Sequence, residues 1–153
     1  MIRISRLADY GILIMTAFAK SPTRRLSAVD VAKATNVALP TVRKLLKQLH
    51  EARLVASHRG SQGGYALSKP VKMVSIADII VAIDGPIAMT DCSQAGHRCD
   101  KATVCDTKDN WQIVNRAIES ALQEVSLQAM CQTLAHHPLS LKGIRIEAVQ
   151  DRE

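Results

Sequence analysis

The pattern of apolar and polar positions predicts that most of the chain is helical. Between residues 4 and 20, apolar residues recur on one face of a helix. Residues 27–30 have the spacing of a capping box and predict a short helix that ends near Thr35. Asn36 favours left-handed backbone, which would end that helix. The chain therefore begins with two helices separated by a polar break.

The third predicted helix, from Pro40 to about Ala52, has two chemically different faces. Its apolar stripe, which must pack inward, consists of Val42, Leu45, Leu46 and Leu49. Its other face consists of Thr41, Arg43, Lys44, Lys47, Gln48 and His50. A short helix, a tight turn and a helix with a basic face form the helix-turn-helix pattern, in which the second helix enters the major groove. A solvated, lysine-rich surface helix is the alternative.

Two short extended segments after this helix predict a β-hairpin. Residues 54–58 and 65–68 favour strands, and they flank the glycine-rich segment 59–64. The glycines permit close backbone approach, and Arg59 could reach a minor groove or a phosphate. The hairpin is therefore interpreted as a wing beside the recognition helix, with glycines that only serve the turn as the alternative.

The charge of the chain is divided between its two halves. The net charge of +6 combines a front half, residues 1–72, at +10 with a back half, residues 73–153, at −4. The front half therefore favours a polyanionic partner. Together with the helix-turn-helix and the wing, this predicts DNA binding. The predicted DNA-contacting residues are Ser27, Pro40, Thr41, Arg43, Lys44, Lys47, Gln48, Arg59, Gly60, Gln62 and Gly63.

A polar loop in the back half contains three of the four cysteines. They are Cys92, Cys99 and Cys105, spaced Cys-x6-Cys-x5-Cys, and residues 90–110 have too little apolar surface to order themselves by burial. We expect a thiophilic metal or cluster to cross-link them. Zinc sites favour Cys-x2-Cys pairs, so the wider gaps favour an iron–sulfur cluster over zinc, with unliganded redox thiols third. No export leader is evident, which favours reduced thiols.

Three helices are predicted around this loop. A capping box at residues 75–78 begins a short apolar helix that reaches about Ile83. A long helix follows from Asp109, and a last helix runs from Ser126 to His136 with Cys131 on its apolar face, where a buried free thiol is expected. The long helix has a heptad-like seam, interpreted as a homodimer contact, with packing on its own domain as the alternative. The seam consists of Trp111, Val114, Ile118, Ala121 and Val125.

Together these residues resemble the Rrf-type winged-helix regulators typified by IscR and NsrR. The resemblance covers nearly the whole chain and includes residues 1–5, the Asp9-Tyr10-Gly11 segment, the wing at residues 59–67 and the three-cysteine loop. It implies a cytoplasmic bacterial homodimer whose DNA affinity depends on a [4Fe-4S] or [2Fe-2S] cluster. IscR-like members have a histidine after the third cysteine, where this chain has residues 106–108, Asp-Thr-Lys. NsrR-like members use an aspartate of the partner subunit, which Asp9 matches; an acidic residue favoured by the helix dipole is the alternative.

We therefore expect a mainly α winged helix-turn-helix protein with a small β-hairpin wing and a long dimerisation helix. The expected regions are the DNA-binding region 1–72, a connecting helix 73–88, the cluster loop 89–108, the dimerisation and C-terminal helices 109–137 and a flexible tail 138–153. The longer first cysteine gap resembles the branch that regulates Suf cluster-assembly genes, which implies a repressor of those genes. The alternatives are a nitric-oxide-responsive NsrR-like repressor and, from another class, an iron–sulfur carrier or scaffold. The sequence contains no catalytic pattern and no apolar stretch that could span a membrane, so we expect neither an enzyme with a small-molecule substrate nor a membrane protein.

Overall fold

The computed structural model describes residues 3–60, 63–94 and 105–132. Six helices and one two-stranded sheet lie in these ranges: α1 Arg6–Ala19, α2 Ala28–Thr35, α3 Leu39–Glu51, β1 Val55–His58, β2 Gly64–Leu67, α4 Ile76–Asp84, α5 Lys108–Glu124 and α6 Leu127–Met130. Short 3₁₀ turns occupy Val71–Met73 and Asp91–Ser93. No described helix is long and apolar enough to cross a membrane.

Local capping interactions determine where several helices begin. The Ser27 hydroxyl accepts a hydrogen bond from the Asp30 N–H at 3.1 Å, and the Asp30 carboxylate accepts one from the Ser27 N–H at 3.0 Å. Ser75 caps α4 with the same reciprocal pattern. Both predicted capping boxes are thus confirmed, as is the left-handed Asn36, with φ 54°. Helix α3 begins one residue before Pro40, with Pro40 in its first turn.

The core is formed by α1, α2, α3, the hairpin, α4 and Leu127 of α6. The predicted apolar stripe of α3 is fully buried in it, and the largest buried side chains around it include Phe18, Ile14 and Met15 of α1. Each such side chain contributes roughly 1.5–3 kcal/mol by leaving water. Burial of one complete face leaves the opposite face of α3 directed to solvent.

The hairpin is antiparallel, and the tip-side half of β2 is joined to the residue just before α2. Strands β1 and β2 pair from Val55 with Leu67 to His58 with Gly64. A bridge between Leu26 and Tyr65 adds two backbone hydrogen bonds of 3.0 and 2.9 Å. Because Leu26 immediately precedes the Ser27 cap, the hairpin has a fixed position beside the helix-turn-helix. The predicted winged-helix architecture is confirmed.

Helix α4 connects the DNA-binding region to the rest of the chain. At its C-terminal end, Ile83 packs so tightly on α1 that a Cβ at Gly11 would lie 3.0 Å from the Ile83 Cγ1. The Ser5 hydroxyl, at the start of α1, donates to the Asp84 carboxylate at 2.8 Å. Helix α5 packs along α4, and the backbone of Val125 accepts a hydrogen bond from the Ile76 N–H at 2.9 Å.

Two details near the end of the described chain differ from the sequence-based expectation. Helix α5 ends at Glu124 and Val125 is extended, because its carbonyl pairs with Ile76; Val125 is therefore not part of a helical seam. Helix α6 ends at Met130, so Cys131 follows the helix and is exposed, and the expectation of a buried thiol was wrong. His136 and the predicted tail 138–153 lie outside the described residues.

Candidate nucleic-acid interface and cysteine site

The outward face of α3 is basic and exposed. Arg43, Lys44 and Lys47 are exposed, Thr41 is half-buried, and Pro40 is exposed in the first turn. The Lys47 ammonium lies 3.8 Å from the Glu51 carboxylate, but both side chains are mostly in solvent, so this pair contributes little and leaves Lys47 free to move. The half-buried Ser27 is held by its capping role at the start of α2.

Gln48 does not lie on this outward face, contrary to its assignment from the sequence. Its amide nitrogen donates to the Ile83 carbonyl of α4 at 3.2 Å, and its amide oxygen is buried with no hydrogen-bond partner among the described residues. Gln48 therefore connects α3 to α4. Periodicity alone could not reveal this, because Gln48 borders the buried stripe.

His50 and Arg53 connect α3 to the wing. A ring nitrogen of His50, Nδ1, lies 3.0 Å from the carbonyl oxygen of Val55, the first residue of β1. Arg53 is exposed and has a φ of 58°. This left-handed backbone conformation is uncommon for residues other than glycine. Arg53 is not among the residues predicted to contact DNA, although an arginine at the usual position of a helix-terminating glycine is a detectable signal. Arg53 adds a cation between the recognition helix and the wing.

The wing tip is shaped by its glycines. Gly60 has a φ of 109°, and the Gly63 N–H donates to the Gly60 carbonyl at 2.9 Å. A Cβ at Gly63 would lie 2.7 Å from the carbonyl oxygens of His58 and Gly60, so only glycine fits there. These glycines serve the turn, and the turn leaves Arg59 exposed at the tip. Gln62 lies outside the described residues.

Two of the three loop cysteines are described, and each has a hydroxyl close by. The Cys92 sulfur lies 3.1 Å from the Thr90 hydroxyl, and the Cys105 sulfur lies 3.4 Å from the Thr107 hydroxyl, at the N-terminus of α5. The hydrogen bond from the Thr107 side chain lowers the pKa of Cys105. Both thiols are half-buried, and Cys99 lies outside the described residues. Within the described ranges, no three His, Cys, Asp or Glu side chains come together.

Asp9 lies toward the opposite end of α5 from Cys105 of its own chain. It is exposed in the first turn of α1 and lines a groove of about 550 Å³ together with Leu122, Val125 and Met130. These residues are near the C-terminal end of α5, whereas Cys105 precedes its N-terminal end. A helix of 17 residues is about 25 Å long. Asp9 is thus displaced from Cys105 toward the other end of α5.

The predicted seam of α5 divides into an exposed and a partly covered half. Trp111 is 41% exposed and Val114 is 42% exposed, and the neighbouring Ile113 is 58% exposed. Ile118 and Ala121 are half-buried, with Ile118 facing Ile80 of α4 and the segment before α1 across a cavity. Packing on its own domain therefore accounts for the second half of the seam, while the apolar residues of its first half are exposed.

Asn115, a buried polar residue of α5, is also not among the residues predicted from the sequence. Its side chain is only 7% exposed and hydrogen-bonds the backbone of the segment that leads to Cys92. A detectable signal existed, because Asn115 lies four residues after Trp111 and three before Ile118, which places a polar residue on a predicted apolar face.

Comparisons with known proteins agree with this architecture. The family model named Rrf2, described as an iron-dependent transcriptional regulator, matches residues 4–133. A Neisseria meningitidis protein named as an HTH-type transcriptional regulator is 32% identical over 127 residues, which cover 83% of this chain and 84% of that protein. The structure of CymR, the global cysteine regulator of B. subtilis, has a TM-score of 0.67 at 26% identity and covers 86% of this chain and 97% of its own. The structure of T. potens IscR has a TM-score of 0.64 at 26% identity and covers 84% of this chain and 85% of its own.

Proposed function

The chain belongs to the Rrf2 family of transcriptional regulators, and we propose that it is a homodimeric regulator whose affinity for double-stranded operator DNA depends on an iron–sulfur cluster. The family and the similar proteins are transcriptional regulators, so this chain is a regulator and not an enzyme. The observation that carries the proposal is the combination of an exposed basic recognition helix, a wing of fixed position and cysteines at both ends of one loop.

The proposed DNA contacts come from α3 and the wing. Arg43, Lys44 and Lys47 are exposed opposite a completely buried stripe, so the helix can enter a major groove without disturbing the core. Arg59 extends from the wing tip toward a minor groove or phosphate. We add Arg53, between these two elements, as a residue that binds a phosphate.

Arg43→Ala and Lys47→Ala test this interface. Each should weaken binding to operator DNA several-fold and lower the slope of log affinity against log salt by about 1 for each phosphate that the variant no longer neutralises. Lys20→Ala is the matched control, because Lys20 is exposed near Cys131, on the side of α1 that packs against α6. Equal affinity of all three variants and the wild type would reject α3 as the reader.

The two described thiols, Cys92 and Cys105, have the chemical properties of cluster ligands. Cys92 and Cys105 are half-buried next to hydroxyl groups, and the lowered pKa of Cys105 favours the thiolate that a metal binds. Cys99 is the proposed third ligand. When bound, a [4Fe-4S] or [2Fe-2S] cluster would supply a cross-link between the two ends of the loop that is sensitive to oxidants, nitric oxide and iron supply.

The proposed fourth ligand is Asp9 of the partner subunit. Asp9 lies toward the other end of α5 from Cys105 within one chain, which disfavours a shared site in the monomer. The exposed apolar surface at Trp111, Ile113 and Val114 gives the dimer contact. If the loop is ordered in one protomer with Asp9 of the partner subunit attached, α1 of the partner is held in place, and the relative placement of the two recognition helices follows.

The proposed targets are Suf-type cluster-assembly genes, which the protein would repress in the cytoplasm. A nitric-oxide-responsive NsrR-like repressor is the alternative within the family, favoured by Asp9. An iron–sulfur carrier or scaffold is disfavoured by the family and by the basic face of α3.

Anaerobic purification tests the cofactor directly. The proposal expects a coloured protein with visible absorption and with iron and sulfide in equal amounts. A colourless protein that contains stoichiometric zinc would exclude the iron–sulfur sensor. Asp9→Ala should accelerate cluster loss, and an unchanged rate would remove Asp9 from the ligand set while leaving the cysteines in it.

A further inference from the structure

The side-chain amide of Asn115 is buried, and its oxygen and its nitrogen each form a hydrogen bond with the backbone. Its oxygen accepts a hydrogen bond from the Met89 N–H at 2.9 Å, and its nitrogen donates to the Ile87 carbonyl at 2.9 Å. The amide thus binds the segment 87–89 as the backbone of a neighbouring strand would. The amide accepts one of these hydrogen bonds and donates the other. Together they define both the position and the orientation of this segment against α5.

This contact joins the two ends of the cysteine loop. Met89 is three residues before Cys92, and Asn115 is on the helix that begins three residues after Cys105. The 3₁₀ turn Asp91–Ser93, which contains Cys92, packs against α5. The relative position of the two thiols therefore depends on how the segment before Cys92 is attached to α5.

We propose that Asn115 is a positioning residue that holds Cys92 in place relative to Cys105 and so prepares both thiols for a thiophilic metal or cluster. The identity of the ligand rests on the function proposed above, whereas the placement of Cys92 does not. Ligands that are held in place before binding lose less conformational entropy when the metal binds. Residues that support metal ligands commonly affect metal affinity by roughly 10- to 100-fold.

Asn115→Leu tests this role, because leucine has a similar size but can form neither hydrogen bond. Two controls separate positioning from stability. Gln123→Leu makes the same chemical change at an exposed position of α5. Ile79→Val removes one methylene from the fully buried side chain of Ile79 in α4, and it lowers overall stability without changing the cysteine loop.

The first measurement uses the metal-free, reduced full-length chain. Alkylation by iodoacetamide is followed at Cys92 and Cys105 by peptide mass spectrometry, with Cys105 as the internal reference. In Asn115→Leu, Cys92 should react about tenfold faster relative to Cys105, while both controls keep the wild-type ratio. An unchanged ratio, or the same change in Ile79→Val, would overturn the proposal.

The second measurement titrates the same proteins with Co²⁺ and follows thiolate-to-metal charge-transfer absorption. Asn115→Leu should bind Co²⁺ about tenfold more weakly than the wild type and the controls, and equal affinity would overturn the positioning role in metal binding. Absence of Co²⁺ uptake by the wild type would count against the proposed metal site itself. The alkylation ratio would still decide whether Asn115 positions Cys92.

Discussion

Gly64→Ala should detach β2 of the wing from Leu26, which lies just before α2. Gly64 has a φ of 149°, and a Cβ there would lie 2.8 Å from the Leu26 carbonyl oxygen and 3.0 Å from the Leu26 carbonyl carbon. Because backbone atoms make both contacts, rotation of a side chain cannot relieve them. The alanine variant must separate Leu26 from Tyr65 and weaken the two hydrogen bonds that join them.

The expected cost follows from these two effects. Left-handed or otherwise sparsely populated backbone costs a residue with a side chain about 1–3 kcal/mol. Weakening two hydrogen bonds adds roughly 1–2 kcal/mol. Gly60→Ala is the matched control, since Gly60 also has a positive φ, of 109°, but nothing lies within 4 Å of its Cβ position. Replacing glycine by alanine lowers the entropy of the unfolded chain equally in both variants, so this effect cancels in their difference.

Urea unfolding, monitored by circular dichroism, measures the difference in the free energy of unfolding between the two variants. We expect Gly64→Ala to lower the free energy of unfolding by about 2–5 kcal/mol, and Gly60→Ala by about 1–3 kcal/mol. Operator binding should also weaken in Gly64→Ala, because the wing loses its fixed position. If Gly64→Ala is no less stable than Gly60→Ala, the bridge between Leu26 and Tyr65 does not hold the wing.

Three further predictions concern single residues of the DNA-binding region. Arg53→Gly should raise the free energy of unfolding by about 0.5–1 kcal/mol, because glycine relieves the left-handed backbone, and should weaken operator binding; lower stability would refute the strain argument. Lys47→Ala should change stability by less than about 0.5 kcal/mol in urea unfolding, because its pair with Glu51 is exposed, while weakening DNA binding. Hydrogen bonds from the Ser27 side chain and backbone lower the pKa of Asp30 in the folded protein below its ordinary value of 3.8. The ionised carboxylate therefore stabilises the fold above pH 3.8, and this stabilisation is lost as the pH falls through the lower pKa of the folded state. Asp30→Ala should therefore be less stable than the wild type at neutral pH and approach it in acid unfolding experiments, and a difference that persists unchanged in strong acid would contradict this.

Features determined by neighbouring residues could be predicted from the sequence. The capping boxes at Ser27 and Ser75 require only residues three positions apart, and the buried stripe of α3 requires only helical periodicity. The hairpin followed from glycines between two short strand-forming segments. The family resemblance rested on the same local motifs, and the Rrf2 match confirms it.

Features determined by contacts between distant segments could not be predicted in this way. Gln48 borders the outer face of α3 but is directed inward because α4 presents the Ile83 carbonyl there. Val125 continues the heptad spacing but leaves the helix because Ile76 offers its N–H. Asn115 could be detected as a polar residue on an apolar face, but its hydrogen-bond partners could not, because the distant segment before Cys92 supplies them. In each case a backbone group far along the chain decides the outcome.

The central claim is that operator affinity depends on the cluster at Cys92, Cys99 and Cys105. The most direct measurement is the fluorescence anisotropy of an operator duplex, selected from genomic DNA by the anaerobic protein, before and after a chelator removes the cluster from the same sample. The account predicts at least a tenfold loss of affinity, and the same weak affinity for a variant with all three cysteines replaced by serine. Equal affinity with and without the cluster would contradict it.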